Sequence, residues 1–341
     1  MIIREKYMLA DQVINGQHIS PEEARDILSI GNMTDIFSLM AEANRVRHHF
    51  KGNRIDLCAI INARSGKCSE DCAFCAQSVH HKTKIDEYPL MPTDTLTGRA
   101  RDTADLKARR LSLVTSGRGI NTEHDIEQIC TALRQIKNNL AIRLCASLGT
   151  VSKDTLLRFK EAGLERYHHN LETSESFFPN ICTTHTYQER VETVKNAKAA
   201  GLNVCSGALF GLGEEREHRV ELAFALKELD VDSVPLNFLT PIPGTPLADA
   251  KPLHPLEILK TIAMFRFVLP DKDIRICGGR EINLRGLQAF TYIAGANGTM
   301  IGNYLTTSGR EASHDLQDIH DLSLIPHKDD EVYVDYPVHG N

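Results

Sequence analysis

The 341-residue sequence has no block of lysine and arginine, no apolar run near membrane-spanning length, no low-complexity linker and no repeat of solenoid length. The first absence argues against a nucleic-acid or anionic-membrane partner, which needs clustered cations; here 39 Lys+Arg stand against 45 Asp+Glu, a formal net charge of −6. The second argues against a helical membrane span, which takes ~20 apolar residues. The opening stretch MIIREKYMLADQV lacks the apolar centre of an export signal and carries acids, so a cytoplasmic protein is expected.

What is present suffices for one large core: 42% of the residues are hydrophobic and 25% charged. The length allows two domains of ~150 residues, or one α/β barrel of ~250 residues with extensions. Short β-rich runs alternate with longer helical patterns. Strands are expected over 56–61, 110–115, 141–147, 166–171, 203–208, 233–238, 273–277 and 299–302. Helices are expected between them over 123–137, 155–162, 187–199, 217–229 and 255–268, with Gly163 and Gly201 at helix-to-strand turns. Eight βα units predict an α/β fold of the TIM-type (β/α)8 barrel, since an open doubly wound sheet needs fewer. The expected division is a helical extension over 1–50, the barrel over 51–305 and a charged C-terminal extension over 306–341. Within the first, Ser20-Pro-Glu-Glu23 reads as a capping box with proline at the first helical position.

Nine cysteines in a reducing compartment are metal ligands, reactive thiols or core residues rather than disulfides. Three stand together in Cys68-Ser-Glu-Asp-Cys72-Ala-Phe-Cys75, just after the first strand, where the loops of a barrel build active sites. Such a trio suits either a zinc ion or an iron–sulfur cluster. A structural zinc site wants a fourth protein ligand, and only His80 and His81 are near. His168 and His169, at the end of the fourth strand, are candidates to line a substrate pocket or to be hydrogen-bonded core residues.

The C-x3-C-x2-C spacing after a first barrel strand resembles the signature of radical S-adenosylmethionine enzymes. Further segments are similar to the biotin synthase family: Tyr167-His-His-Asn170-Leu-Glu172-Thr-Ser174, Thr186-Tyr-Gln-Glu-Arg190, Val204-Cys205-Ser-Gly207, Gly211-Leu-Gly-Glu214, Gly244-Thr-Pro-Leu247 and Ala294-Gly-Ala-Asn297. They occur in order through most of residues 55–310. The resemblance implies sulfur insertion into dethiobiotin to give biotin. It implies a [4Fe–4S] cluster held by Cys68, Cys72 and Cys75, with the fourth iron left for the amino and carboxylate groups of S-adenosylmethionine. By the same resemblance Glu172 binds the ribose of that cosubstrate and Arg190 its carboxylate, while Phe74, Gly211 and Gly213 flank the adenine. Asn170 and Asn237 would meet the ureido ring of dethiobiotin, with His169 close by. Arg64, where the family usually has lysine, would pair with the substrate carboxylate, and Thr306 and Thr307 are weaker candidates for that end. An electron donor of flavodoxin or ferredoxin type and a homodimer also follow from the resemblance. Rival readings are a hydrogenase-cofactor maturase or methylornithine-type mutase of the same branch, and a non-catalytic metal-binding protein.

One feature departs from the family. Its typical members resemble one another in holding an auxiliary [2Fe–2S] cluster through three cysteines and an arginine, and the matching positions here are Ser112, Cys145, Cys205 and Arg275. Serine is a poor replacement for a thiolate. Cys58 on the first strand and Cys277, two residues beyond Arg275 and on its face, offer two further thiols. Cys58, Cys145, Cys205 and Cys277 all belong to odd-numbered strands, and alternate strands of such a barrel fill one interior layer. The expectation is an auxiliary four-iron cluster with four cysteine ligands and extra sulfide, against the alternative that Cys58 and Cys277 only fill the core. Cys130 and Cys182 are expected to have no metal role.

Overall fold

A computed structural model describes residues 9–327. Parallel pairing closes eight strand positions into a barrel. They are β1 (Arg54–Arg64), β2 (Arg110–Thr115), β3 (Arg143–Ser147), β4 (Arg166–His168), a fifth shared by β5 (Asn203–Cys205) and β6 (Ala208–Phe210), then β7 (Ser233–Phe238), β8 (Asp273–Ile276) and β9 (Gly298–Met300). Closure comes from β9 lying against β1, with Asp56 opposite Gly298 and Cys58 opposite Met300. Most strand residues are buried because both faces are covered, by barrel interior on one side and helices on the other.

Three helices precede the barrel: α1 (Leu9–Ile14), α2 (Pro21–Ser29) and α3 (Met33–Lys51). The capping box is present, with Ser20 Oγ accepting from Glu23 N at 3.1 Å and Ser20 N donating to Glu23 Oε2 at 2.7 Å. Crossover helices are α4 (Thr93–Asp105), α5 (Glu123–Asn139), α6 (Lys153–Glu161), α7 (Tyr187–Ala199), α8 (Arg216–Glu228) and α9 (Pro255–Val268). Helix α9 is buried on every side because α2 and α3 cover the face it turns away from the barrel. Its Lys260 donates to the Leu28 and Ile30 carbonyls at 2.9 and 2.8 Å, so a buried cation closes the carboxyl end of α2. Among the described residues no helix is long and apolar enough to cross a membrane.

The fifth position is read from the sequence as one strand over 203–208, yet it breaks at Ser206 and Gly207. A Cβ on Gly207 would lie 2.0 Å from the Pro235 carbonyl oxygen of β7, and Pro235 has no N–H with which to continue a ladder. The break has a use. The Gly207 carbonyl accepts from Leu171 and Glu172 at 3.1 and 3.2 Å, and its N–H donates to Asn170 Oδ1 at 3.1 Å. The strand opening therefore fixes the chain just past β4, where Glu172 takes a φ of 69°.

Two short helices, α10 (Arg280–Leu284) and α11 (Phe290–Ile293), connect β8 to β9; after β9 a loop carrying Tyr304, Thr306 and Thr307 leads to α12 (Ala312–Asp321). A short strand, Ile325–Pro326, returns to pair with β1 at Arg54 and Ile55. Residues 1–8 and 328–341 of the two expected extensions lie outside the described residues. The loop is anchored by a buried bidentate pair, Arg280 to Asp315 at 2.6 Å through both nitrogens, with Arg280 Nε reaching Tyr304 Oη at 3.2 Å. Removing the carboxylate leaves the buried guanidinium with only the more distant Glu281, at 3.6 Å, to offset its charge. Asp315→Ala should therefore lower unfolding stability by about 3–5 kcal/mol, read as a fall in thermal midpoint.

Candidate active site and metal centres

The loop between β1 and α4 folds back on itself. Cys68 N donates to Gln77 O at 2.9 Å and Val79 N to Cys68 O at 2.9 Å, while Ser78 Oγ holds the Glu70 carbonyl at 2.6 Å. Gly66 permits the turn with a φ of 77°, and a Cβ there would meet the Glu87 side chain at 2.6 Å. The result is a compact frame that gathers Cys68, Cys72 and Cys75, with Cys72 buried and the others half-buried. The histidines that could complete a zinc site do not turn to the thiols. His80 Nε2 lies 3.0 Å from the Ser69 carbonyl and His81 Nε2 3.1 Å from that of Cys72.

Beside this loop, at the carboxyl ends of the strands, opens a cavity of about 350 Å³. Phe74, Asn170, Glu172, Asn237, Thr306 and Thr307 line it. Both asparagines are held by backbone. Asn237 donates to Ala208 O and accepts from Gly278 N, each at 3.0 Å, which leaves each amide further hydrogen-bonding capacity. Arg190, on α7, is not a lining residue but spans the gap between loop and cavity. Its guanidinium is 2.9 Å from the Asn170 carbonyl, 3.6 Å from the Glu172 carboxylate and 4.0 Å from Cys72 Sγ.

Four of the sequence-derived candidates sit elsewhere. His168 lines the cavity whereas His169 does not, because strand alternation sends Asn170 and His168 inward and Tyr167 and His169 outward. His169 is buried, which drives its pKa well below the ordinary histidine value and leaves it neutral. Arg64 is not at the cavity wall either. Its guanidinium donates to the Ser116 carbonyl at 3.0 and 2.6 Å and faces Asp125 at 3.4 Å. Gly211 and Gly213 form a turn just beyond the lining, where the Gly211 and Leu212 N–H groups are held by the Glu214 carboxylate at 2.8–3.1 Å.

Deeper in the barrel, Cys58, Cys145, Cys205 and Cys277 border the same cavity, together with Ser112. Cys58 Sγ donates to the Thr299 carbonyl at 3.7 Å, and the neighbouring Cys277 thiol and Arg275 hold the Cys58 thiol below its ordinary value against the opposing effect of burial. Around them lies a layer of charge. Asp56 accepts from Arg109 and Arg110 at 2.9 and 3.0 Å and is ion-paired with Arg275 at 3.0 Å, while Asp273 faces Arg166 and Arg275 at 3.6 Å and Lys51 at 3.0 Å. Burial would raise the Asp56 carboxyl, but Arg275, Arg110 and Arg109 outweigh it and hold it far below the usual carboxylate range. Arg275 in turn keeps its proton more tightly than a free arginine, since burial is outweighed by Asp56 and the charges beside it. Its Nε also donates to Ser233 Oγ at 2.9 Å. Among the described residues, Arg110 Nη1, Arg166 Nε and Nη1, and Ser112 Oγ are buried there without a hydrogen-bond partner. Unpaired donors around four thiols are a setting for an anionic group.

Cys182 and His185, to which the sequence reading gave no metal role, lie directly against the first thiol set: Cys182 Sγ is 3.8 Å from Cys72 Sγ. The spacing Cys182-Thr-Thr-His185 is a short chelating pattern and is the signal that would have flagged them.

Comparison with known proteins gives consistent results. Residues 63–226 match the Radical SAM superfamily, and residues 235–325 match the Biotin and Thiamin Synthesis associated domain. A biotin synthase of Geobacter sulfurreducens is 54% identical over 316 residues, 93% of this chain and 96% of that protein. A biotin synthase of Pelotomaculum thermopropionicum is 54% identical over 318 residues, 93% of this chain and 98% of that one. Among solved structures, a methylornithine synthase superposes with a TM-score of 0.82 at 21% identity, covering 94% of this chain and 97% of its own. The hydrogenase maturase of Carboxydothermus hydrogenoformans gives 0.79 at 16% identity, over 95% of this chain and 79% of its own. These last two share the fold.

Proposed function

The chain belongs to the biotin synthase family, and on that premise we propose how its residues carry out the family's reaction, the insertion of sulfur into dethiobiotin with S-adenosylmethionine as cosubstrate. The observation that carries the proposal is one cavity that four thiols border and that the loop carrying three more touches. The Cys68–Cys75 loop reaches its mouth through Phe74, and Cys58, Cys145, Cys205 and Cys277 border its deep end.

When bound, a [4Fe–4S] cluster on Cys68, Cys72 and Cys75 supplies the electron that cleaves the sulfonium, and an auxiliary cluster supplies the sulfur. The protein's own part is placement. Glu172 and Arg190 face each other at 3.6 Å beside the cysteine loop, an acceptor for ribose hydroxyls and a cation for the cosubstrate carboxylate. Phe74 and the Gly211–Gly213 turn would flank the adenine. Asn170 and Asn237, fixed by the backbone of neighbouring strands, present donors and acceptors for the ureido ring. Thr306 and Thr307 close the cavity from the C-terminal loop and would meet the other end of dethiobiotin. Arg64, held by the Ser116 carbonyl, and His169, which faces away from the cavity, have no place in this arrangement. The closed ring of strands keeps bulk water from the reacting carbon.

We assign the auxiliary centre to Cys58, Cys145, Cys205 and Cys277, as a four-iron cluster with extra sulfide. Arg275 has its charge committed to Asp56 and so lacks the free lone pair a ligand needs. A flavodoxin- or ferredoxin-type donor and a homodimer complete the proposal. Anaerobic reconstitution followed by dethiobiotin turnover and iron analysis tests the whole. Biotin or its thiol intermediate should form, with about eight irons per chain; absence of both products under strong reductant, or about six irons, would count against it. Asn237→Ala should raise the apparent KM for dethiobiotin about tenfold, the equivalent of ~1.4 kcal/mol for a lost hydrogen bond, with deoxyadenosine formation retained.

A further inference from the structure

Cys72, Cys182 and His185 bring their ligand atoms within 4.8 Å of one another. Two thiolates bound ~2.3 Å from one tetrahedral ion stand ~3.8 Å apart, and Cys72 Sγ and Cys182 Sγ are separated by 3.8 Å. Cys182 and His185 come from one turn, with Nδ1 and Nε2 of the ring 3.2 and 3.8 Å from Cys182 Sγ. Cys72 comes from the other loop, and the two loops are joined before any ion arrives. Ala73 N donates to Ile181 O at 2.8 Å, and Thr183 N and Thr184 N donate to Asp71 Oδ1 at 2.9 and 3.2 Å.

The histidine is oriented for ligation. Glu70 Oε2 lies 2.6 Å from Nδ1 and holds the ring proton there, so Nε2 keeps its lone pair, now facing Arg190 Nε at 3.0 Å. A carboxylate that fixes one ring nitrogen while the other binds is the usual support of a metal-bound imidazole. Both cysteines are buried, and two sulfurs with one nitrogen form a soft donor set.

We propose that, in the chain without its radical cluster, Cys72, Cys182 and His185 hold one thiophilic divalent ion, and that building the cluster takes Cys72 away from it. Both sulfurs bind as thiolates, any thiol proton still present passing to solvent, and no oxidation state changes. Arg190 turns aside to free the imidazole. Ferrous iron held here is already beside the site it must fill, whereas zinc held here blocks it. The inference shares Cys72 with the proposed radical centre but is independent of the auxiliary one.

The test uses the full chain, prepared anaerobically without cluster or metal. Co2+ is added, and each cysteine's alkylation relative to the metal-free chain is read by peptide mass spectrometry, which separates this site from the deep quartet. Cys72 and Cys182 should lose reactivity together while Cys68 and Cys75 keep theirs. Cys182→Ser and His185→Gln should each abolish the protection of Cys72. Protection of Cys68, Cys72 and Cys75 as a set, or of Cys72 unchanged in both variants, overturns the proposal. In parallel, one equivalent of Zn2+ before reconstitution should slow cluster formation in the wild type and not in Cys182→Ser; equal slowing in both also overturns it. Biotin formation by the reconstituted wild type, measured separately, shows whether the functional reading stands regardless.

Discussion

Cys277→Ser should abolish biotin formation while leaving reductive cleavage of S-adenosylmethionine in place. The reason is spatial. Cys277 lies at the deep end of the cavity with Cys58, Cys145 and Cys205, remote in sequence from the loop that carries Cys68, Cys72 and Cys75. Serine keeps the volume of the side chain but is a hard, weakly acidic donor where iron takes a thiolate. Iron should fall from about eight per chain toward about four, and deoxyadenosine should still appear, uncoupled from product. If Arg275 were the ligand, as at the matching position of typical members, the same substitution would leave the auxiliary iron and biotin yield untouched. Iron analysis and product chromatography on one preparation separate the outcomes. The geometry favours loss, since Arg275 already serves Asp56 and Ser233 at 3.0 and 2.9 Å.

Cys68→Ala should give the complementary phenotype: neither deoxyadenosine nor biotin above background, with the deep centre's iron retained. Cys68 is half-buried, and what holds its segment is backbone, the pairing with Gln77 and Val79 at 2.9 Å. The side chain can be removed without unfolding the loop, so loss of turnover would report the missing ligand. Circular dichroism and iron counts check the fold and the surviving centre. Retained cosubstrate cleavage in this variant would show that the loop is not the reducing site. Together the two variants would divide one cavity into a radical-forming end and a sulfur-bearing end.

Much of the architecture was legible because it rests on periodicity. Helices α7 and α9 begin and end at the residues their patterns mark, and every barrel strand falls within or against an expected run. The departures arise where a distant residue decides. Within 203–208 only Gly207 hints at a break; what requires it is the Pro235 carbonyl on the neighbouring strand, which the run itself does not show. The choice between His168 and His169 is a matter of one residue of phase, and phase is set by pairing rather than composition. Arg64 looks available until α5 brings Asp125 beside it, 61 residues later in the chain. The four deep cysteines were placed in one layer by counting alternate strands, and all four border the cavity. Cys182 was passed over because its neighbour in space, Cys72, is 110 residues away.

The layer of charge beneath the cavity has a consequence for the lifetime of the catalyst. Four arginines and Lys51 share two aspartates there, and several of their donors face inward without a partner. Such a foundation is under-neutralised until an anion settles on it, and whatever settles there stabilises the folded chain by mass action. On the proposed assignment, a reaction that drew its sulfur from that occupant would loosen its own scaffold with each product released. Durability would then be set by how fast the tenant is replaced.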